Sequence, residues 1–144
     1  EAIEDAQSMM NEGYRNSSVY GMLGYFKLLR NDDLDETTKL CEEAYDYNSD
    51  DRDIKDNLSI CYFRKGEYKK AEKISDELVV AAPNFVEGFY HGIQIAMKLN
   101  KYDKAAEYAE KLKECKRSGM TTVTEEEVNK LIQEVKNHNE NTIG

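Results

Sequence analysis

Two histidines, three cysteines and twenty-nine carboxylates are the groups in this 144-residue chain that could carry chemistry. His91 falls in the middle of a predicted helix and His138 near the C-terminus, and no Ser or Cys near either sits in a nucleophile motif. Nucleophilic catalysis needs a nucleophile, a base and an orienting group within hydrogen-bond reach. Cys41, Cys61 and Cys115 are odd in number and form no CxxC, so neither a disulfide framework nor a zinc site is indicated. All three fall on predicted helices and read as small packing residues. The acidic run at 50–56, DDRDIKD, lacks the glycine and the twelfth-position Glu of a calcium loop. No HExxH, GxxxxGKS/T or GxGxxG pattern occurs. Carboxylates are plentiful, but their spacing is that of solvated turns. The expectation is a chain that is not an enzyme and takes no metal or cofactor.

The formal charge of −9 is unevenly placed. Residues 31–56 hold eleven Asp or Glu against Lys39, Arg52 and Lys55. Displacing counterions from phosphates requires the opposite sign, so no nucleic-acid partner is expected. No apolar run approaches eighteen residues, and no segment reads as a membrane span. The chain opens on Glu1 and shows no signal peptide, which leaves open an upstream anchor or export signal. A cytoplasmic setting is favoured, with the soluble domain of a membrane-anchored protein as the alternative.

The elements that must position any site are helices. One Pro and eight Gly leave few breaks, and apolar residues recur at helical spacing. The pattern predicts helices near 1–12, 18–30, 35–47, 52–65, 68–81, 86–98, 102–116 and 124–137. Ala2, Ile3, Ala6, Met9 and Met10 form the stripe of the first, which Gly13 stops. Cap candidates are Ser17 or Ser18, Asp33 or Asp35, and Asp50 or Asp51. Pro83 closes the fifth helix, since Pro cannot continue one. Thr124 and Glu127 form a capping box ahead of an apolar face of Val128, Leu131, Ile132 and Val135. The tail from 137 onward is expected to fray.

The helices recur in pairs. Tyr102 follows Tyr68, and Ala105 follows Ala71, by one interval of 34 residues; Leu34 and Thr37 precede the same two by that interval. In residues 52–85, Ile54, Leu58, Ser59, Tyr62, Tyr68, Ala71, Ile74, Leu78 and Pro83 resemble one repeat of the tetratricopeptide (TPR) family. Lys55 and Ser75 stand where that family has aromatics, and Phe89 takes the first aromatic position of the third unit. Leu23–Gly24 and Gly92 come one residue early, through either an extra turn residue or a looser register. The resemblance implies an all-α, right-handed solenoid of antiparallel helix pairs in one domain. It divides into a partial repeat at 1–16, repeats at 17–51, 52–85 and 86–119, and an end helix and tail at 120–144.

The resemblance also implies a protein–protein interaction scaffold that holds a peptide or helix of a partner in a concave groove. The first helix of each pair would line that groove. This gives Val19, Met22, Phe26, Leu29 and Arg30; then Asp53, Asp56, Ile60, Phe63 and Arg64; then Glu87, Tyr90, Gln94, Met97 and Lys98. The predicted contacts are Met22, Phe26, Asp53, Asp56, Ile60, Phe63, Tyr90 and Met97. Apolar anchors would supply affinity, and the two Asp would select a partner with Lys or Arg. The competing reading is that Phe26, Phe63 and Met97 pack between helices and that the Asp pair favours a helix start. Some TPR co-chaperones grip the C-terminal carboxylate of heat-shock proteins with Lys, Asn and Arg. The corresponding positions are Met22, Phe26, Asn57, Glu87 and His91; Asn57 alone matches, so that clamp is not expected. The other functional reading is structural, a self-associating segment of a larger, membrane-anchored complex.

Overall fold

The computed structural model describes residues 2–13 and 15–143. Among them are eight helices and no strand: α1 (Ala2–Asn11), α2 (Ser17–Leu29), α3 (Leu34–Tyr47), α4 (Arg52–Arg64), α5 (Tyr68–Ala81), α6 (Val86–Lys98), α7 (Tyr102–Glu114) and α8 (Glu125–Ile143). Of the stripe predicted for the first helix, the Ala2 side chain lies outside the described residues, as does the predicted helix start at Glu1.

The helix ends follow local chemistry. Gly13 stops α1 with φ of +91°, a conformation that costs glycine little. α2 is capped by Asn16 and not by Ser17 or Ser18: its Oδ1 accepts from Val19 N at 2.9 Å, and Ser17 Oγ instead accepts from Asn48 Nδ2. Asp33 caps α3 and Asp51 caps α4. Thr124 and Glu127 form the reciprocal box at the start of α8, Glu127 N donating to Thr124 Oγ1 and Thr124 N to Glu127 Oε1. α7 ends two residues earlier than predicted, and α8 continues to Ile143 through the tail expected to fray.

The turn inside each pair contains one residue of positive φ: Asn31 (57°), Gly66 (80°) and Asn100 (59°). Gly66 and Asn100 are 34 apart, whereas Asn31 and Gly66 are 35 apart. The first turn therefore carries one residue more than the other two. Both of its acids have work there. Asp32 receives a two-pronged contact from Arg30 at 2.8 and 2.9 Å, and Asp33 caps the next helix. The early position of Gly24 is thus an inserted turn residue. Gly92 has a different cause. Its missing Cβ would lie 3.1 Å from both Ser75 Oγ and the Tyr108 ring, so only glycine fits beside that ring without displacement.

The chain divides into two compact units, Glu1–Ile74 and Ser75–Gly144, with the boundary inside α5. In unit 1, Ala6 and Met10 of α1 pack with Val19, Tyr20 and Leu23 of α2, Ala44 of α3 and Ile54 of α4. A second cluster joins Leu28, Cys41, Leu58, Cys61 and Ile74. In unit 2, Phe89, Ile93 and Ala96 of α6 pack with Ala105, Tyr108, Ala109 and Leu112 of α7 and with Leu131 and Val135 of α8. α8 is the apolar-faced end helix that a stack of repeats needs to close its last face.

Candidate partner-binding face

In unit 1 the helices expected to line the groove are α2 and α4. α2 buries Tyr20, Gly21, Leu23, Gly24 and Leu28 and leaves Met22, Tyr25 and Leu29 exposed at 40%, 37% and 64%. Spacings of three and four place these three on one helix face. Phe26 flanks them, half-buried, with its ring edge-on to Tyr25 at 5.6 Å. The remainder of the predicted first set behaves otherwise. Val19 is core, and Arg30 is held by Asp32.

The inserted turn residue explains the difference. With a shift of 35 rather than 34, Ile60 corresponds to Tyr25 and Arg64 to Leu29. Tyr25 is therefore the α2 counterpart of Ile60, which the sequence reading passes over. Its signal was the early Gly24, which fixes the shift.

On α4, Asp53 is exposed, and Ile60 and Phe63 are half-buried. Phe63 packs its ring 5.5 Å from that of Tyr68. Asp56 departs from the expected exposed position: it is buried, with 8% of its surface open to solvent. Asn57 turns the other way, donating from Nδ2 to Gly21 O at 2.9 Å, and Arg64 donates to Leu28 O at 3.0 Å. These two bonds tie α4 to the backbone of α2 and leave neither side chain in the role of an anion clamp. Asp53 meets α2 at Gly21, the residue before Met22, its Cβ 3.4 Å from where a Cβ on Gly21 would be. Burial of its surroundings raises its pKa despite Arg52 at 3.5 Å, and the charges of Asp51 and Asp56 push in the same direction.

In unit 2 the helix expected to line the groove is α6. Tyr90 and Met97 are half-buried against the unit core. The Tyr90 hydroxyl is pushed above its usual pKa, first by burial and then by Glu127 and Glu134 of α8. Glu87 of the predicted set is buried, Gln94 is half-buried and Lys98 is exposed.

A second surface exists on unit 1, a cleft of about 480 Å³ lined by Glu42, Asp46, Leu58, Tyr62, Lys70 and Lys73. Tyr62 donates to Glu42 at 2.8 Å, and Lys70 stands over the Tyr62 ring. No group of three or more potential metal ligands occurs among the described residues. No helix among them is long and apolar enough to cross a membrane.

Pairs of short antiparallel helices joined by a left-handed residue, with small residues where the helices cross, define a helical-repeat protein. Residues 28–88 match the tetratricopeptide repeat family. The chain is similar to the Sgt2 TPR domain of Aspergillus fumigatus, at TM-score 0.74 and 17% identity over 88% of this chain and 80% of that one. It is also similar to the first TPR of Spaghetti (RPAP3), a structure bound to the HSP90 peptide SRMEEVD, at 0.70 and 15% over 85% and 91%. A thermophilic TPR protein of Thermus thermophilus superposes at 0.71 and 15%, over 92% and 70%. No curated protein sequence matches. The fold is that of tetratricopeptide repeat proteins, and the match to that family covers residues 28–88.

Proposed function

We propose that the protein is an interaction scaffold whose unit 1 binds an apolar, basic segment of a partner protein along α2 and α4. The observation that carries this is the exposed stripe Met22, Tyr25 and Leu29 with Asp53 at its edge. Contiguous exposed apolar side chains mark interaction surfaces, and aromatic anchors usually dominate affinity. Phe26, Ile60 and Phe63 would form the half-buried floor. Asp56 would contribute charge from below the surface. In unit 2, Tyr90 and Met97 are assigned the contact role on α6.

The sign of the partner follows from the acids. The SRMEEVD peptide carried by one structural neighbour is rich in carboxylates. An acidic peptide laid beside Asp53 would meet like charge, which costs affinity. Desolvation, and after it the charges of Asp51 and Asp56, raise the Asp53 pKa, and a cation brought beside it would answer those charges.

The test uses two synthetic amphipathic peptides with the same Leu and Phe positions, one with central Lys and Arg, the other with Glu. The basic peptide is expected to bind and the acidic one to bind at least tenfold more weakly. Asp53→Lys should reverse or abolish that preference, and Tyr25→Ala with Leu29→Ala should lower affinity for both. Equal binding of the two peptides would remove the charge argument. Full affinity in the folded Tyr25→Ala/Leu29→Ala variant would move the site to the cleft around Tyr62. If the protein instead forms dimers that this variant abolishes, the stripe serves self-assembly.

A further inference from the structure

Cys41 of α3 and Cys61 of α4 meet inside unit 1 with their Sγ atoms 3.6 Å apart. Both are free thiols, exposed by only 2% and 0%, and they are enclosed by Leu28, Leu58 and Ile74. At that separation no atom stands between the sulfurs. A disulfide bond of about 2.0 Å requires each sulfur to move by roughly 0.8 Å. The repeat itself does not ask for sulfur here. One interval of 34 residues on, the corresponding residues are Ser75 and Ile95. The binding role above uses neither thiol.

We propose that Cys41 and Cys61 form a redox-active dithiol, which a peroxide converts to an internal disulfide stapling α3 to α4. Cys61 is the better first nucleophile. Its pKa is lowered, first by the shared hydrogen bond with Cys41, then by a hydrogen bond with Thr38 and the positive charge of Arg64 one turn further along α4, against the opposing effect of burial. Cys41 is pushed the other way by the same shared proton and by burial. The thiolate, not the thiol, is the attacking species.

The Cys61 thiolate attacks one oxygen of hydrogen peroxide, the O–O bond breaks, and Cys61 sulfenic acid and hydroxide form. The hydroxide takes the Cys41 proton, giving water. The Cys41 thiolate then attacks the Cys61 sulfur, the S–S bond forms as the S–O bond breaks, and the departing hydroxide is protonated to a second water. Two thiols are oxidised and one peroxide is reduced to two waters. Peroxide is small enough to enter through local opening of packed helices, whereas a glutathione adduct would not fit at a fully enclosed sulfur.

The test exposes the folded protein to hydrogen peroxide, counts thiols and maps tryptic peptides. Cleavage after Lys39, Arg52, Lys55 and Arg64 places Cys41 in 40–52 and Cys61 in 56–64, while Cys115 falls in 114–116. The expected result is loss of two of the three thiols and a 40–52/56–64 cross-linked peptide two hydrogen masses lighter than its parts. Reductant should reverse it, and the oxidised protein should unfold at a higher temperature because the cross-link constrains the unfolded chain. Exposed Met9 and Met120 report that the oxidant was present. Three intact thiols at exposures that oxidise both methionines would overturn the proposal. So would Cys61 sulfinic acid without the cross-link, or cross-links that recruit Cys115 in the folded protein.

Discussion

Gly24 carries no side chain because Asn57 occupies the space where one would go. A Cβ there would lie 2.9 Å from Asn57 Nδ2 and 3.3 Å from Cys41 Sγ. Both neighbours are buried, and the Asn57 amide is committed to Gly21 O. Gly24→Ala gains helix propensity worth about 1 kcal/mol but displaces a buried hydrogen-bonded amide, so a net loss of roughly 1–2 kcal/mol is expected. Gly21→Ala on the same helix meets Asp53 Cβ at an ordinary 3.4 Å and should be neutral or slightly stabilising. Urea denaturation of the two variants compares them directly; equal midpoints would show that the crossing is looser than drawn. Thr37 is a complementary case. It occupies the position of Ala71 and Ala105, is 1% exposed, and its Oγ1 has no hydrogen-bond partner. Thr37→Val keeps the shape and removes the unanswered hydroxyl, and should raise stability by about 1 kcal/mol. A lower midpoint for this variant would mean that the hydroxyl is in use.

At the scale of elements, the sequence is explicit where the local chemistry is self-contained. The Thr124–Glu127 box, the Asp33 and Asp51 caps and the Gly13 stop involve residues a few positions apart, and each was legible. What was not legible depended on neighbours distant in sequence. Asn16 won the α2 cap because Asn48, thirty-one residues beyond Ser17, engages the Ser17 hydroxyl. The sequence left the first turn open between an extra residue and a looser register, and the extra residue makes Tyr25, not Phe26, the α2 counterpart of Ile60. Asp56 reads as a surface charge but is buried, since a helix wheel alone does not show what covers it. The α8 box carries a prediction of its own. Both hydrogen bonds it makes with Thr124 hold the Glu127 carboxyl below its usual pKa. Its folded pKa is lower than its unfolded one, so its contribution is present above the unfolded carboxylate pKa and is lost as pH falls through the folded one. Thr124→Ala should therefore cost about 1 kcal/mol at neutral pH and less in acid, as read by thermal unfolding at the two pH values. A cost that does not change with pH would assign the effect to the Thr124 hydroxyl alone.

At the scale of the molecule, charge and fold act together on one choice, which partner can approach. Eleven of the carboxylates crowd residues 31–56, all within unit 1, against three basic residues. Such a field draws in cations over about 8 Å at physiological ionic strength. Most of these acids sit at helix starts and turns, where they also serve the fold, so the field alone does not prove a binding role. Asp53 separates the two. Its folded pKa is raised, chiefly by partial desolvation of a side chain that stays exposed, so folding mildly disfavours its ionised form; its contribution to stability is greatest when protonated and falls as pH rises through the folded pKa. Partner binding has the opposite sign, because a basic segment needs the ionised carboxylate and in turn pulls its pKa down. Affinity for the basic peptide should thus be full at neutral pH and fall as pH drops through the raised Asp53 pKa, while Asp53→Asn should bind weakly at every pH without losing stability beyond the modest helix-start term of roughly 0.3–1 kcal/mol. Raising salt should slow association of the basic peptide more than it speeds dissociation. The decisive comparison is calorimetric titration of wild type and Asp53→Asn across the acid range. Parallel pH profiles for the two proteins would place the controlling charge elsewhere in the 31–56 window, whereas a profile that flattens only in Asp53→Asn would fix it on α4, at the edge of the apolar stripe.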